Sequence, residues 1–378
     1  MKQIYLDNSA TTPVCEEAIT AAVGAMKKDF GNPSSLYSLG MDAERLIERA
    51  REKMAKRLGA APKEIIFTAS GTEANNTAIF GAARARAKRG NRIVTSAVEH
   101  PSVSEPIKRL EEEGFEVIRL PVYSDGRVSE DDIRAAINSK TILVSIMAVN
   151  NETGAIMPIE AVAPAIKTAG APALFHCDAV QGFGKFKIDA KKLGIDLLSA
   201  SGHKLHAPKG IGFLYCSAST HIPPFLLGGG QEKGMRSGTE SVPLITAFSA
   251  AIEKIDEEKN LEKMRELKAF ALEKFEKTNG ILINSPKEGL PYIINISLEG
   301  IRSETALHFL EGFGIYVSSG SACSKGKASS VLTEMGLSSD RADSALRISM
   351  SRFTEKEDIE ALAEALESAL LRLTRKRR

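Results

Sequence analysis

The sequence predicts an α/β fold, with a large domain built on a mostly parallel, seven-stranded sheet and a smaller α+β domain. Short apolar runs alternate with longer amphipathic segments between residues 60 and 216, which is the order of strands and helices in a parallel sheet. The alternation stops after residue 216. A chain of 378 residues also exceeds the usual size of a single domain. These observations favour two domains.

The elements of the large domain follow one another in a regular order. A short strand near residue 4 precedes a polar loop, and helical patterns run to about residue 30 and over residues 41–58. The seven strands are predicted at residues 65–67, 92–96, 116–120, 142–148, 173–177, 196–200 and 211–216. The helices between them are predicted at residues 73–89, 102–113, 130–138 and 159–169. Ligands of such sheets bind at the carboxyl ends of strands, so the loops after strands are where chemistry is expected.

The second domain is predicted from the segment after residue 216. A glycine-rich loop is followed by one long helical region at about residues 244–277. Strands are then predicted at residues 281–284, 292–297, 315–318 and 346–349, and helices at residues 303–313 and 355–374. We expect the large domain to cover residues 14–255, and the small domain to combine residues 1–13 with 256–378.

Composition and charge exclude several classes of protein. The 50 Lys and Arg residues nearly balance 48 Asp and Glu residues, so the net charge of +2 argues against a nucleic-acid partner despite the basic residues at 372–378. No apolar run is long enough to span a membrane, and the first residues lack a signal pattern, which predicts no membrane partner and a cytoplasmic location. The histidine and cysteine spacings predict no metal site.

A tight turn between two predicted buried strands carries Lys204. A lysine held on such a turn can be partly desolvated, which lowers the pKa of its amine and suits it to form a Schiff base. The alternative is a solvated loop lysine. Ser201, Gly202 and His203 favour the chemical role, because together they can hold an anionic group beside the amine.

The segment Ser70-Gly-Thr-Glu-Ala-Asn-Asn joins a predicted strand to a predicted helix. Ser70 and Glu73 fit a capping box, which is a structural role. A glycine turn at this place also presents backbone N–H groups at the positive end of the helix dipole, so Gly71 and Thr72 predict a phosphate site. Neither GxGxxG nor a P-loop pattern is present, which argues against a P-loop ATPase.

Two further polar residues follow predicted strands. Asp178 ends an apolar strand, where a carboxylate needs a partner such as a cationic ring nitrogen, unless it only caps the loop. His100 is either a structural histidine at a helix start or a flat ring placed over a planar cofactor. A lysine amine, a phosphate site, a carboxylate and a histidine together match what pyridoxal 5'-phosphate requires.

Cys323 differs from the other cysteines in its surroundings. Serine, glycine and lysine residues flank it, and nearby positive charge favours a thiolate, so Cys323 is a candidate nucleophile. Cys177 and Cys216 lie in apolar runs typical of strands and are expected to be inert.

Nine short motifs occur in a characteristic order along nearly the whole chain. They are DNSATT at 7–12, NPSS at 32–35, SGTEANN at 70–76, EH at 99–100, VNNETG at 149–154, DAVQ at 178–181, SGHK at 201–204, RSGT at 236–239 and SAC at 321–323. In these motifs the chain resembles the cysteine desulfurases of the NifS/IscS class, which are fold-type I pyridoxal phosphate enzymes. The loop after Cys323 lacks the Arg-x-Gly-His-His-Cys pattern of the other desulfurase group.

The resemblance implies a cofactor role for several residues. Lys204 would bond covalently to pyridoxal 5'-phosphate, and Asp178 would pair with its ring nitrogen. Gln181 would hydrogen-bond the phenolic oxygen, and His100 would stack on the ring and move protons. The residues implied to bind the phosphate, in addition to the turn at Gly71, are Thr72, Ser201, His203 and, from the other subunit of a homodimer, Thr239.

The resemblance also implies a substrate and a product. Asn151 and Arg347 would hold the carboxylate of L-cysteine, a task that suits the bidentate fork of an arginine. Cys323 would take the sulfur as a persulfide, L-alanine would be released, and the sulfur would pass to an acceptor protein such as an iron–sulfur scaffold.

Other functions remain open on the sequence alone. A selenocysteine lyase or an aminotransferase can share this fold, although an aminotransferase needs no nucleophilic thiol such as Cys323. A non-enzymatic iron–sulfur carrier is disfavoured, because the other three cysteines are dispersed and two lie in predicted strands.

Overall fold

A seven-stranded sheet forms the centre of the structure, a computed structural model that describes residues 3–319 and 329–373. The strands in chain order are β1 (Ile4–Tyr5), β2 (Ile65–Thr68), β3 (Arg92–Ser96), β4 (Glu116–Leu120), β5 (Thr141–Ser145), β6 (Leu174–Asp178), β7 (Leu197–Ser201), β8 (Gly212–Cys216), β9 (Ile281–Ile283), β10 (Ile293–Leu298), β11 (Ile315–Tyr316) and β12 (Ala345–Ser349). The helices are α1 (Glu16–Lys28), α2 (Ser38–Arg57), α3 (Gly71–Arg86), α4 (Pro101–Glu112), α5 (Glu130–Ala136), α6 (Val162–Thr168), α7 (Val242–Glu253), α8 (Glu257–Lys277), α9 (Ser303–Glu311), α10 (Ser330–Glu334), α11 (Ser339–Asp343) and α12 (Lys356–Leu373).

The large sheet has the strand order β2-β8-β7-β6-β5-β3-β4, which confirms the predicted seven strands. β8 runs antiparallel to both of its neighbours, and the other pairs along the sheet are parallel. The carboxyl ends of β2, β3, β5, β6 and β7 therefore meet at one edge of the sheet. Loops that are far apart in the sequence converge there.

Helices cover both faces of this sheet, as a sheet buried on both sides requires. α3 and α4 pack on one face, where their apolar residues form a cluster with alternate strand residues such as Ile93 and Leu214. Phe213 and Tyr215 point to the opposite face, where α7 packs against α1 and α2. Of the described helices, none is long and apolar enough to cross a membrane.

The prediction of a single long helix at about residues 244–277 is wrong. The segment forms α7 and α8, with a break at residues 254–256. The side chain of Asp256 accepts a hydrogen bond from the backbone N–H of Lys259 at 3.1 Å, so Asp256 begins a new helix as an N-cap. The helix predicted at residues 159–169 is also shorter, because a single 3-10 turn at Ile159–Ala161 precedes α6.

A second, antiparallel sheet has the order β12-β10-β9. The strand predicted at residues 315–318 does not join its ladder, because β11 pairs in parallel with β1 and only Ser318 bridges to Arg347 of β12. The N-terminal segment is tied to β12 as well, since the backbone N–H of Ser349 donates to the carbonyl of Leu6 at 2.6 Å. The domain limits at residues 13 and 255 stay a prediction.

Candidate active site

A cavity of about 660 Å³ lies at the carboxyl edge of the large sheet. Its volume is within the usual range for small-molecule sites. The residues predicted from the sequence that line it are Gly71, Thr72, His100, Asn151, Asp178, Gln181, Ser201, His203, Lys204 and Arg347. Thr239 lines a different cavity of about 150 Å³, and Cys323 lies outside the described residues. We call the 660 Å³ space the main cavity.

Lys204 is the last residue of a 3-10 turn that directly follows β7. Its Nζ donates to the backbone carbonyls of Ser9 at 2.5 Å and Ala10 at 2.8 Å. A Cβ on Gly202 would lie 2.9 Å from the Ile211 side chain, so the turn requires glycine there. The lysine amine is thus oriented by the N-terminal segment of the chain.

His203, directly before Lys204, is held by the same N-terminal segment. Its Nδ1 lies 3.2 Å from the hydroxyl of Thr11, and its carbonyl accepts the backbone N–H of Thr12 at 2.9 Å. Burial, reinforced by the charge of Lys204, lowers the pKa of His203 to about 4. The ring is therefore neutral near pH 7.

Asp178 is buried at the end of β6 and is held by two donors. One carboxylate oxygen accepts the backbone N–H of Val180 at 2.9 Å, and the other accepts the side-chain amide of Asn75 at 2.8 Å. Asn75, fully buried on α3, also donates to the hydroxyl of Ser102 at 2.8 Å. Asn75 was not predicted as a site residue; the available signal was an amide on the alanine-rich, buried face of α3.

His100 is the N-cap of α4 and also lines the main cavity, so both of its predicted roles are compatible with the geometry. Its Nδ1 accepts the backbone N–H of Ser102 at 3.1 Å and lies 2.8 Å from the Ser102 hydroxyl. Burial lowers the pKa of His100, although the charge of Asp178 opposes this shift. Nε2 has no hydrogen-bond partner among residues 3–319 and 329–373, which leaves one ring nitrogen for a ligand.

The start of α3 is the place where the sequence predicts a phosphate site. The Ser70 hydroxyl accepts the backbone N–H of Glu73 at 3.1 Å, but the Glu73 carboxylate accepts from Ala69 at 2.8 Å rather than from Ser70, so the predicted capping box is incomplete. The backbone N–H groups of Gly71 and Thr72 have no acceptor within the described part of the chain. A Cβ on Gly71 would lie 2.8 Å from the Val180 side chain, so only glycine lets the helix start approach the strand ends this closely.

Arg347 reaches the main cavity from β12 in the second sheet. Its Nη2 donates to Asp7 at 2.8 Å and its Nη1 to the carbonyl of Asn151 at 3.2 Å, so two of its donors already have protein partners. Its buried Nε has no partner in the part of the chain that the structure describes. The geometry thus places the guanidinium of Arg347 beside the backbone carbonyl of Asn151, and the predicted binding of a carboxylate by these two residues stays a prediction.

The residues on both sides of the segment 320–328 contact the cavity wall. Before it, Ser318 exchanges two backbone hydrogen bonds with Arg347, at 3.1 and 2.7 Å. After it, the Ser329 hydroxyl donates to the carboxylate of Glu152, and Ser330 and Val331 line the main cavity. Glu152 was not predicted as a site residue, and burial raises its pKa.

A second buried carboxyl, that of Glu99, also lines the main cavity. One of its oxygens accepts from the Ser96 hydroxyl at 2.6 Å and from the backbone N–H of Met147 at 3.0 Å. Burial raises the pKa of Glu99 to about 8. A neutral carboxyl beside Asp178 avoids placing two negative charges close together.

The side chains at this edge fit pyridoxal 5'-phosphate. The cavity combines a lysine amine, a held carboxylate, two histidines of lowered pKa and a helix start that can bind phosphate. Of the described residues, Ser9, Asn75, Glu99 and Arg347 each have a buried polar atom without a partner, as expected of a site for a polar ligand. No group of three or more His, Cys, Asp or Glu side chains is arranged for a metal ion in the described ranges.

The chain is similar over nearly its whole length to known proteins. The family model for class V aminotransferases matches residues 4–362. A relative from Bacillus subtilis, named putative cysteine desulfurase IscS 1, is 41% identical and covers 99% of this chain and 100% of its own. A solved NifS-like protein superposes with a TM-score of 0.92 at 36% identity, covering 98% of this chain and 100% of its own. The solved structure of SspA in complex with cysteine superposes with a TM-score of 0.83 at 34% identity, covering 94% of this chain and 100% of its own.

Proposed function

Because the chain belongs to the class V aminotransferase family and, within it, to the cysteine desulfurases, it is a pyridoxal-phosphate-dependent cysteine desulfurase, and we propose that the main cavity carries its chemistry. The observation that carries this assignment is the convergence of Lys204, Asp178 and Arg347 on one cavity. Asp178 ends β6, Lys204 lies in the turn after β7, and Arg347 lies on β12 of the second sheet.

The cofactor supplies an electron-accepting ring. Lys204 would bond to it covalently, and Asp178, held by Asn75, would pair with the ring nitrogen. Gln181 would donate to the phenolic oxygen. The neutral His203, the Ser201 hydroxyl and the N–H groups of α3 would bind the phosphate.

Arg347 and Asn151, which also line the main cavity, would hold the carboxylate of L-cysteine. Because Nδ1 accepts the backbone N–H of Ser102, the neutral His100 ring carries its proton on Nε2 and would donate from there to a ligand in the main cavity. The thiolate of Cys323 attacks the substrate sulfur, and the C–S bond breaks. The carbon then takes up a proton and leaves as L-alanine, and Cys323 keeps the sulfur as a persulfide.

The function is tested by separating cofactor binding from sulfur transfer. Cys323→Ala should bind the cofactor and L-cysteine, but alanine release should fall about 1,000-fold or more, because no thiolate remains to accept the sulfur. Alanine release and the visible absorption spectrum are measured on the same preparation. Cys216→Ala is the matched control, since burial raises the pKa of the Cys216 thiol to about 12 and makes it unreactive.

The anchoring lysine is located in the same experiment by borohydride reduction and peptide mapping. The cofactor label should be found on Lys204. A label on Lys185 or Lys209, or near-normal alanine release by Cys323→Ala, would contradict the assignment.

We further propose that the protein is a homodimer in which Thr239 completes the phosphate site of the partner. Thr239 is exposed and lies outside the main cavity of its own chain, which supports a role in another copy. Leu227, which follows Leu226 where that residue bridges to Arg236, is also exposed, at 83%. The persulfide sulfur would pass to an acceptor protein, such as an iron–sulfur scaffold, in the cytoplasm.

A further inference from the structure

A buried lysine, Lys185, contacts the side chain of Gln181. Lys185 follows β6, and its Nζ donates to the Gln181 side-chain oxygen Oε1 at 2.7 Å. The amine also lies 5.7 Å from the centre of the Tyr292 ring. Within residues 3–319 and 329–373 no carboxylate pairs with it, so Lys185 is not held there by an ion pair.

The hydrogen bonds on the two ends of the Gln181 amide decide its orientation. Lys185 donates to Oε1, and Nε2 donates to the backbone carbonyl of Ser9 at 3.0 Å. The same carbonyl accepts the Nζ of Lys204 at 2.5 Å. Because a carbonyl can only accept, a rotated Gln181 would place two oxygen acceptors against each other at Ser9. Lys185 therefore supports one orientation of the amide.

The surroundings of Lys185 are cationic or neutral. The charged and titratable groups that act on it or lie beside it are Lys204, Arg347, His203, His206, Tyr292 and Arg352. Burial, reinforced by the charges of Lys204 and Arg347, lowers the pKa of Lys185 to about 7. A neutral amine still has two N–H bonds, so the bond to Gln181 can persist after the proton is lost.

We propose that Lys185 is a positioning residue, which fixes the Gln181 amide so that its N–H group, and not its oxygen, serves the phenolic oxygen of the cofactor. This inference rests on the proposed function, because it uses the cofactor role of Gln181. Without Lys185 only the Ser9 carbonyl holds this orientation, so the amide rotates more often and then presents its oxygen to the phenolic oxygen. Removing a donor from the phenolic oxygen makes the chromophore easier to protonate.

The first measurement is the pH midpoint of the visible absorption band of the cofactor-loaded protein. Lys185→Met should move that midpoint upward by about one pH unit, the equivalent of one lost hydrogen bond to a charged group. The same substitution in a Gln181→Ala background should move it by less than half as much, since the group through which Lys185 acts is absent. Equal shifts in both backgrounds would overturn the proposal, as would an unshifted Lys185→Met in a protein whose midpoint Gln181→Ala does change.

Lys268→Met is the matched control. Lys268 is another buried lysine, on α8, whose Nζ donates to the carbonyl of Pro286 at 3.2 Å, and burial lowers its pKa to about 8. Its replacement should leave the absorption midpoint unchanged. A shift like that of Lys185→Met would show a general effect of losing a buried lysine and would overturn the proposal.

A second measurement does not depend on the cofactor role of Gln181. In the cofactor-free protein, the side-chain amide NMR signal of Gln181 is identified as the one lost in Gln181→Ala. That signal should shift or broaden in Lys185→Met, and an unchanged signal would overturn the proposal. If the signal responds but Gln181→Ala leaves the absorption midpoint unchanged, Lys185 still positions the amide, whereas the proposed cofactor role of Gln181 fails.

Discussion

At the scale of single residues, three histidines near the site are buried in the neutral form. Burial lowers the pKa of His176 to about 3 and those of His203 and His206 to about 4. His176 is the simplest case, because its ring lies between the hydroxyls of Ser145 at 2.8 Å and Ser199 at 3.1 Å inside the sheet. Folding therefore competes with protonation of these rings.

His176 makes the free energy of unfolding fall as the pH falls, because burial lowers its pKa. Its pKa is about 6.5 in the unfolded chain, so between pH 6.5 and pH 3 the unfolded chain binds a proton that the folded chain does not. The contribution of His176 to the free energy of unfolding is therefore fully present above pH 6.5 and is lost as the pH falls. At pH 4.5 the loss should be about 2.5 kcal/mol.

The prediction is tested with His176→Asn by urea unfolding at pH 7 and pH 4.5. The variant should lose about 2.5 kcal/mol less than the parent between these two values. His308→Asn is the control, since the His308 ring is exposed and should not alter the loss. An identical loss in His176→Asn and the parent would contradict the prediction.

At the scale of elements, a buried ion pair holds the loop that carries Thr239. The guanidinium of Arg51 on α2 donates to both carboxylate oxygens of Glu232, at 2.7 and 3.0 Å, and to the carbonyl of Ile65 at 2.6 Å. The side chains of the pair are only 5% and 2% exposed. Glu232 and its neighbour Lys233 have φ values of +48° and +58°, an unfavourable backbone for such residues that the ion pair helps to hold.

We predict that Arg51→Met lowers the free energy of unfolding by about 3–5 kcal/mol, because the Glu232 carboxylate stays buried without its partner. Urea unfolding measures this change. Arg51→Met combined with Glu232→Gln should recover more than half of the loss, since no buried charge remains. Arg45→Met on the same helix is the control, and it should change the free energy by less than about 1 kcal/mol, because the Arg45–Asp42 pair is 62% and 52% exposed. A small loss in Arg51→Met would contradict the prediction.

At the scale of the whole molecule, the proposed dimer connects the surface to the active site. Leu227→Glu should weaken dimerisation, because it places a charge on an exposed apolar residue, in the loop that bridges to the segment before Thr239, that would become buried between two copies. Sedimentation equilibrium measures the dimer, and cofactor retention should fall with it. Leu371→Glu is the control, since Leu371 on α12 is similarly exposed at 62%. An active 40.7 kDa monomer would contradict the proposal.

Much of the fold was predictable from local periodicity. The seven strands of the large sheet were expected near their observed positions, because buried strands and amphipathic helices leave different apolar patterns in the sequence. Their order was not predictable, nor was the reversal of β8, because pairing joins residues far apart in the chain. The break between α7 and α8 was missed, although Asp256 offered a capping signal.

Only some of the candidate site residues were predictable from the sequence. Lys204, Asp178, His100 and the start of α3 stand in short segments whose residue types indicate chemistry before any contact is known, and the family resemblance supplied Gln181, Asn151 and Arg347. The roles of Asn75, Glu152 and Lys185 required the tertiary structure. Each depends on which neighbour stands across from it: Asp178 opposite Asn75, Ser329 opposite Glu152, and the Gln181 amide opposite Lys185. A sequence records the type of a side chain, but the folded backbone decides its hydrogen-bond partners, through distant segments for Asn75 and Glu152 and through a local turn for Lys185.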